Sequence, residues 1–156
     1  MPIMPPVHLQ ISLHATTDET RRRLVPNAPD SIANLLDSGH RFHEKTGDQV
    51  CLNYVLLRHI NDSIDDARWL ARLDPTVFYI KITELNDVMG TPPDIVGASI
   101  EEIRFFSRQL YEFQMPHKVF VGDGLDVHAS CGQLAAVPQE VDVLGRANMR
   151  FKGSEE

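Results

Sequence analysis

The residues of this 156-residue chain that could do chemistry gather where apolar runs stop. Ser12, Leu13 and His14 close a run that begins at Val7. Arg58, His59, Ile60, Asn61 and Asp62 close one that begins at Gln49, and Glu84, Leu85 and Asn86 close one that begins at Val77. In parallel α/β architectures ligands bind at the carboxyl ends of the strands, where loops vary freely and helix N-termini point inward. Hydroxyl, imidazole and amide groups appearing together at such ends can converge on one pocket and fix a small polar ligand by hydrogen bonds. The plainer reading makes Ser12, Asn61 and Asp62 turn and cap residues, and His14 a satisfied structural histidine.

A second kind of chemistry is offered by thiols and imidazoles. Cys131 lies in the small-residue run Ala129-Ser130-Cys131-Gly132-Gln133-Leu134, outside any periodic segment, where a thiol is exposed enough to react. Cys51 sits inside an apolar run and reads as inert packing. Asp126 and His128 precede Cys131 closely, but side chains so near in sequence seldom form a Cys-His hydrolase pair, and no oxyanion hole can be read. His40 and His43 share a helix at a spacing that can hold a metal; with no third ligand nearby, a solvated face is favoured. The basic run Arg21-Arg22-Arg23 likewise reads as a solvated helix face rather than a phosphate clamp.

The elements that must position these groups alternate between strand and helix. Strands are expected over residues 7–13, 49–57 and 77–85, each followed by a loop and a segment of helical period, which is the signature of βα units in a parallel sheet. Thr16 and Glu19 are spaced as a capping box before a short turn that Pro26 closes. A longer helix over 31–45 places Ile32, Leu35, Leu36 and Phe42 on one face, with Gly47 as a left-handed cap. The second strand is nearly continuous in apolar residues, as expected when both faces are covered. Asp62 or Ser63 caps the next helix, whose stripe is Ile64, Ala67, Leu70 and Ala71. Ser99 and Glu102 form another capping box before a helix with Ile103, Phe106, Leu110 and Phe113 on its buried side, terminated by Pro116. A fourth strand follows over 118–121. One domain over 1–142 and a polar, mobile tail over 143–156 are expected.

Composition narrows the function classes. A hydrophobic fraction of 42% and a charged fraction of 24% fit a folded globular domain. No apolar run approaches the roughly eighteen residues of a membrane span, and residues 1–6 lack signal-peptide character, so a cytoplasmic location is expected. A net charge of -7 argues against binding nucleic acid by bulk electrostatics, so any RNA contact must be local. Two cysteines are too few for a disulfide scaffold and are not spaced as a zinc motif.

Several stretches, in order, resemble one family. Ile11-Ser12-Leu13-His14-Ala15 followed by Asp18-Glu19-Thr20-Arg21 and Leu24-Val25-Pro26 looks like the fourth barrel strand and turn of the RlmN/Cfr-type radical S-adenosylmethionine (SAM) methyltransferases. Glu44-Lys45-Thr46-Gly47, Tyr54-Val55-Leu56-Leu57 and Asn61-Asp62-Ser63 are similar to its next unit, and Cys131-Gly132-Gln133-Leu134 to its C-terminal signature. Ordered motifs are more specific than any one alone. The resemblance implies a partial (β/α) barrel of three parallel βα units plus a C-terminal strand. It implies that Ser12, Leu13, His14 and Asn86 contact SAM, and that Cys131 accepts a methyl group and carries it as S-methylcysteine. It also implies an adenine carbon of ribosomal or transfer RNA as target. That carbon is not nucleophilic, so radical addition replaces ordinary methyl transfer.

The departures shape the expectation. Two cysteines cannot supply the three thiolates of the family's CxxxCxxC 4Fe-4S motif plus the methylated one. The family's arginines before the last signature are replaced by Phe120, Val121, Gly122 and Asp123, and its Phe-Asn-Pro is Leu85-Asn86-Asp87. The chain is therefore expected to represent a C-terminal half that is inactive alone and that pairs with a missing barrel half or self-associates. The alternative is a non-catalytic SAM- or partner-binding module of the same fold.

Overall fold

The computed structural model describes residues 6–86 and 90–122 and the backbone of 140–141. Each predicted βα unit is present. The strands are β1 (Gln10–Ser12), β2 (Val50–Val55), β3 (Phe78–Thr83), β4 (His117–Phe120) and β5 (Glu140–Val141). Between them run the helices α1 (Asp18–Leu24), α2 (Ile32–Thr46), α3 (Ile64–Leu70) and α4 (Ile100–Glu112). They form one sheet in the order β1-β2-β3-β4-β5, parallel from β1 to β4, with β5 antiparallel on β4. This is the α/β partial barrel that the motif order implied, with β5 added beyond the four expected strands. The expected tail over 143–156 lies outside the described residues.

Local chemistry explains where the helices start and stop. Ser31, Ser63 and Ser99 cap α2, α3 and α4, each accepting the backbone N–H three residues on. Asp66 and Glu102 complete reciprocal capping boxes by accepting the N–H of Ser63 and Ser99. Gly47 ends α2 at φ 76, a conformation open to glycine without steric penalty. Two expectations are corrected. The cap of α1 is Thr17, which accepts from Thr20 N–H, while the Thr16 hydroxyl donates to Asp66 and ties the start of α1 to the cap of α3. Helix α4 stops before Pro116, where Gln114 turns left-handed at φ 60.

The core lies between the helices and one face of the sheet. Ile11, Leu52, Tyr54, Ile80, Ile82 and Val119 point toward it and meet Ile32, Ala67, Leu70, Ile103, Phe106 and Leu110 from the helices. Ile64, expected in the α3 stripe, is instead exposed, because the buried arc of this short helix is covered by Ala67 and Leu70. Strand β2 also departs from the expectation that both faces are covered. Leu52 and Tyr54 are fully buried, whereas Asn53 and Val55 are half-buried. The alternation arises because the helices cover one side only; the other is the inner face of the partial barrel.

That inner face is polar and ordered by register. Ser12 stands beside Asn53, Asn53 beside Lys81, and Lys81 beside Lys118. The Lys81 ammonium lies 4.7 Å from the Phe120 ring centroid and that of Lys118 lies 5.5 Å from the Tyr79 ring, so each cation rests on an aromatic face of the adjacent strand. Cys51, also on this side, is buried, and burial raises its thiol pKa, in keeping with the inert role read from its apolar run.

Close packing of α2 on β3 depends on Gly39. A Cβ there would sit 2.5 Å from Phe78 Cε1, and the Phe78 ring is fully buried, with the His40 ring edge-on at 5.0 Å. Gly39→Ala gains about 1 kcal/mol of helix propensity. The overpacking it forces costs about 1–3 kcal/mol. The expected result is a net loss of stability in urea denaturation; a raised midpoint would show that Phe78 can retreat.

Candidate functional site

The carboxyl ends of β1 and β2 are tied by a hydrogen-bonded node. The Leu13 and His14 amides both donate to the Asn53 carbonyl, at 3.0 and 3.3 Å. The Val55 amide donates to His14 Nδ1 at 3.1 Å. Asn61, fully buried, donates through Nδ2 to the carbonyls of His14 and Val55, both at 2.8 Å, and accepts from the Leu57 amide through Oδ1 at 2.7 Å. Its own carbonyl accepts the Tyr54 hydroxyl at 2.8 Å. On the other flank Arg21 is buried, against the expectation of a solvated face. Its guanidinium donates to the carbonyls of Ser12 and Asp30, both at 3.1 Å, because backbone oxygens rather than a carboxylate are the acceptors that α1 reaches. Arg22 and Arg23 are exposed, and Arg23 pairs with Asp94.

The candidate residues from sequence fall unevenly. Ser12 has an exposed side chain on the inner face; Leu13 is fully buried, which leaves only its backbone for a ligand; His14 is half-buried. Asn86 is exposed just past β3, the strand after next in the sheet order. Cys131 lies outside the described residues, as do Asp126 and His128. His40 and His43 stay apart as ligands: one packs on Phe78, the other bonds the Asp48 carbonyl through Nδ1.

Electrostatics define what the node can do. Burial, with the Arg21 charge nearby, lowers the His14 pKa to about 4, so the ring is neutral at pH 7. With Nδ1 accepting from Val55, the proton sits on Nε2, which makes His14 a hydrogen-bond donor. Beyond β2, Arg58 grips both carboxylate oxygens of Glu102 at 2.9 and 3.1 Å. The Ser99 amide chiefly, and then Arg58, hold that carboxyl below its ordinary pKa.

Two further side chains shape the site. Asn61, open in the sequence between a pocket residue and a turn residue, takes backbone groups of both strands as partners. Asn53 lies beside Ser12, and its Oδ1 is buried without a hydrogen-bond partner, an acceptor left for a polar ligand. The only local signal for Asn53 is an amide interrupting an otherwise apolar run. An exposed hydroxyl, a neutral imidazole donor and an orphaned buried acceptor suit a small ligand bearing hydroxyl and ring-nitrogen groups, so the site fits SAM. A cluster finds no ligand set here: among the described residues no three His, Cys, Asp or Glu side chains gather.

The fold is that of a segment of a radical SAM methyltransferase barrel. A crystal structure of such a methyltransferase from Sphaerobacter thermophilus superposes with a TM-score of 0.67 at 34% identity, covering 81% of this chain and 37% of that one. Within that class the chain corresponds to the C-terminal portion of the RlmN/Cfr type. It is 35% identical over 131 residues to the probable dual-specificity RNA methyltransferase RlmN of Thermus thermophilus, covering 83% of this chain and 36% of that protein. For the ribosomal RNA large subunit methyltransferase N of Nitrosopumilus maritimus the identity is 35% over 141 residues, 89% of this chain and 38% of that protein. The chain thus spans little more than a third of the length of these relatives. No family model matches it.

Proposed function

We propose that this chain is the portion of a radical SAM methyltransferase that holds S-adenosylmethionine and carries the methyl group destined for an adenine carbon of ribosomal or transfer RNA. The observation that supports this best is the polar rim at the ends of β1 and β2, with Ser12, His14 and the orphaned Asn53 oxygen side by side, in a chain related to RNA methyltransferases. Ser12 would hold the ligand by its hydroxyl, Leu13 by its backbone, His14 by Nε2–H and Asn86 by its amide. Cys131 would take up the methyl group and present it to the base.

Bound together with a 4Fe-4S cluster, SAM supplies radical chemistry that an electron-poor ring carbon requires. The cluster thiolates would come from outside these 156 residues, since one of the two cysteines is buried in β2 and the other is committed to the methyl group. RNA contact would be local rather than through a broad basic face, as the charge of -7 dictates. Among the described residues no helix is long and apolar enough to cross a membrane.

Titration calorimetry with SAM is expected to give saturable one-to-one binding that Ser12→Ala weakens. An absence of saturable binding, together with unchanged RNA methylation by a Cys131→Ala form of the assembled enzyme, would refute the proposal.

A further inference from the structure

His14 holds an unusual conformation for an L residue, φ 57, at the point where β1 ends. Such a backbone is sparsely populated and persists when its surroundings over-determine it. Here the determinants come from β2 and the loop that follows. The His14 amide donates to Asn53, its carbonyl accepts from Asn61 Nδ2, and its Nδ1 accepts from the Val55 amide.

Asn61 itself has one possible orientation. Its Oδ1 faces the Leu57 amide and its Nδ2 faces two carbonyls; a flipped amide would set oxygen against two oxygens and a donor against a donor. The Tyr54 hydroxyl fixes its backbone from below, and Tyr54 is fully buried. The same side chain therefore holds the His14 carbonyl and the carbonyl of Val55, the residue whose own amide selects the His14 tautomer. Among the described residues Arg21, from α1, is the charged group that bears on the ring, and it further disfavours a second proton.

We infer that Asn61 is a positioning residue of this site: it fixes His14 in one backbone conformation and one neutral tautomer, so that the ligand is met by an Nε2–H donor. The ligand atom met there is then a hydrogen-bond acceptor, a ring nitrogen or an oxygen, and not a donor. Naming that ligand as SAM rests on the function proposed above; the role of Asn61 does not. In SAM the adenine nitrogens, the ribose oxygens and the methionine carboxylate are such atoms.

The test is NMR on the isotopically labelled chain at neutral pH. The expected His14 ring has an unprotonated Nδ1 and a protonated Nε2, with scalar couplings through the hydrogen bonds from Asn61 Nδ2 to the carbonyl carbons of His14 and Val55. Asn61→Ser removes the double donor and is expected to mix the tautomers and weaken SAM about tenfold. His14→Asn tolerates the left-handed backbone and keeps an acceptor where Nδ1 stood, but has no Nε2. It is expected to fold and also to lose about tenfold in affinity. A tautomer mixture in the unaltered chain, or an unchanged His14 ring in folded Asn61→Ser, overturns the inference. If Asn61→Ser fails to fold, the tautomer and couplings of the unaltered chain still decide. Failure of the unaltered chain to bind SAM, with tautomer and couplings as expected, would sink the proposed ligand while upholding the role of Asn61.

Discussion

Phe106→Ala is expected to lower the unfolding free energy by about 3–5 kcal/mol, the range for removing a buried aromatic ring. Phe106 is 1% exposed and stacks on Tyr54, with ring centroids 5.9 Å apart and planes 10° from parallel. The loss combines transfer of the ring to water with a cavity that the surrounding Ile103, Leu110 and sheet residues cannot close, because they are themselves buried and packed. A total stability of about 5–15 kcal/mol makes this a large fraction of the whole. The damage should reach the site, since Tyr54 braces the Asn61 carbonyl from the same place. Phe105, its neighbour in sequence, is 60% exposed, and Phe105→Ala is expected to stay within about 0.5 kcal/mol. Urea denaturation of both variants checks the contrast. A loss below about 1 kcal/mol for Phe106→Ala would show that the core can collapse into the space.

Acidification from pH 7 to about pH 4.5 is expected to remove about 2–3 kcal/mol, most of it through His14. The imidazole has a folded pKa of about 4 against an ordinary 6.5, because burial, and secondarily the charge of Arg21, disfavours the cation. Between those values the unfolded chain binds more protons than the folded one. Stability is therefore full above 6.5 and declines as pH falls toward 4. His117 acts in the same direction: burial lowers its pKa, opposed by the hydrogen bond its Nδ1–H donates to the Met115 carbonyl, while Ser107 lies 2.7 Å from Nε2. The carboxylates of Asp74 and Glu102, whose pKa values are also lowered, lose their contributions at lower pH, so the upper part of the window reports the histidines. Denaturation midpoints measured across this range for the unaltered chain and for His14→Asn provide the check. A profile flat down to pH 5, or the same slope in both proteins, would contradict the assignment.

The parts of the fold that were legible in sequence are those whose determinants are local. Ser31, Ser63 and Ser99 act within one helical turn of the amides they cap, and Gly47 needs only its own backbone, so their spacing reveals them. Residues whose partners are distant were misread or left open between two readings. Arg21 resembles its exposed neighbours in sequence, and only the fold brings the Ser12 and Asp30 carbonyls to it. Asn61 carries the same residue type as any turn asparagine; its burial depends on β1 ending beside β2. The continuous apolar run of β2 suggested two covered faces because Val55 and Cys51 suit a half-open inner surface as well as a closed one. For the site, the strand-end rule located Ser12 and His14 through a general property of parallel sheets. It had no means of finding Asn53, whose importance lies in an acceptor left unpaired by its neighbours.

The all-parallel register from β1 to β4 also governs how the chain comes together in time. None of these pairings can be made by a tight hairpin, since each strand must wait for a crossover containing at least one helix. Ring closure is entropically easiest for the shortest crossover, which is the one through α3 that joins Val50 to Phe78. The β2-α3-β3 unit is therefore the expected nucleus, with β1 and β4 condensing onto its two sides. The rim formed by Ser12 and His14 would then be among the last features to appear, assembled only when β1 docks on a strand already in place.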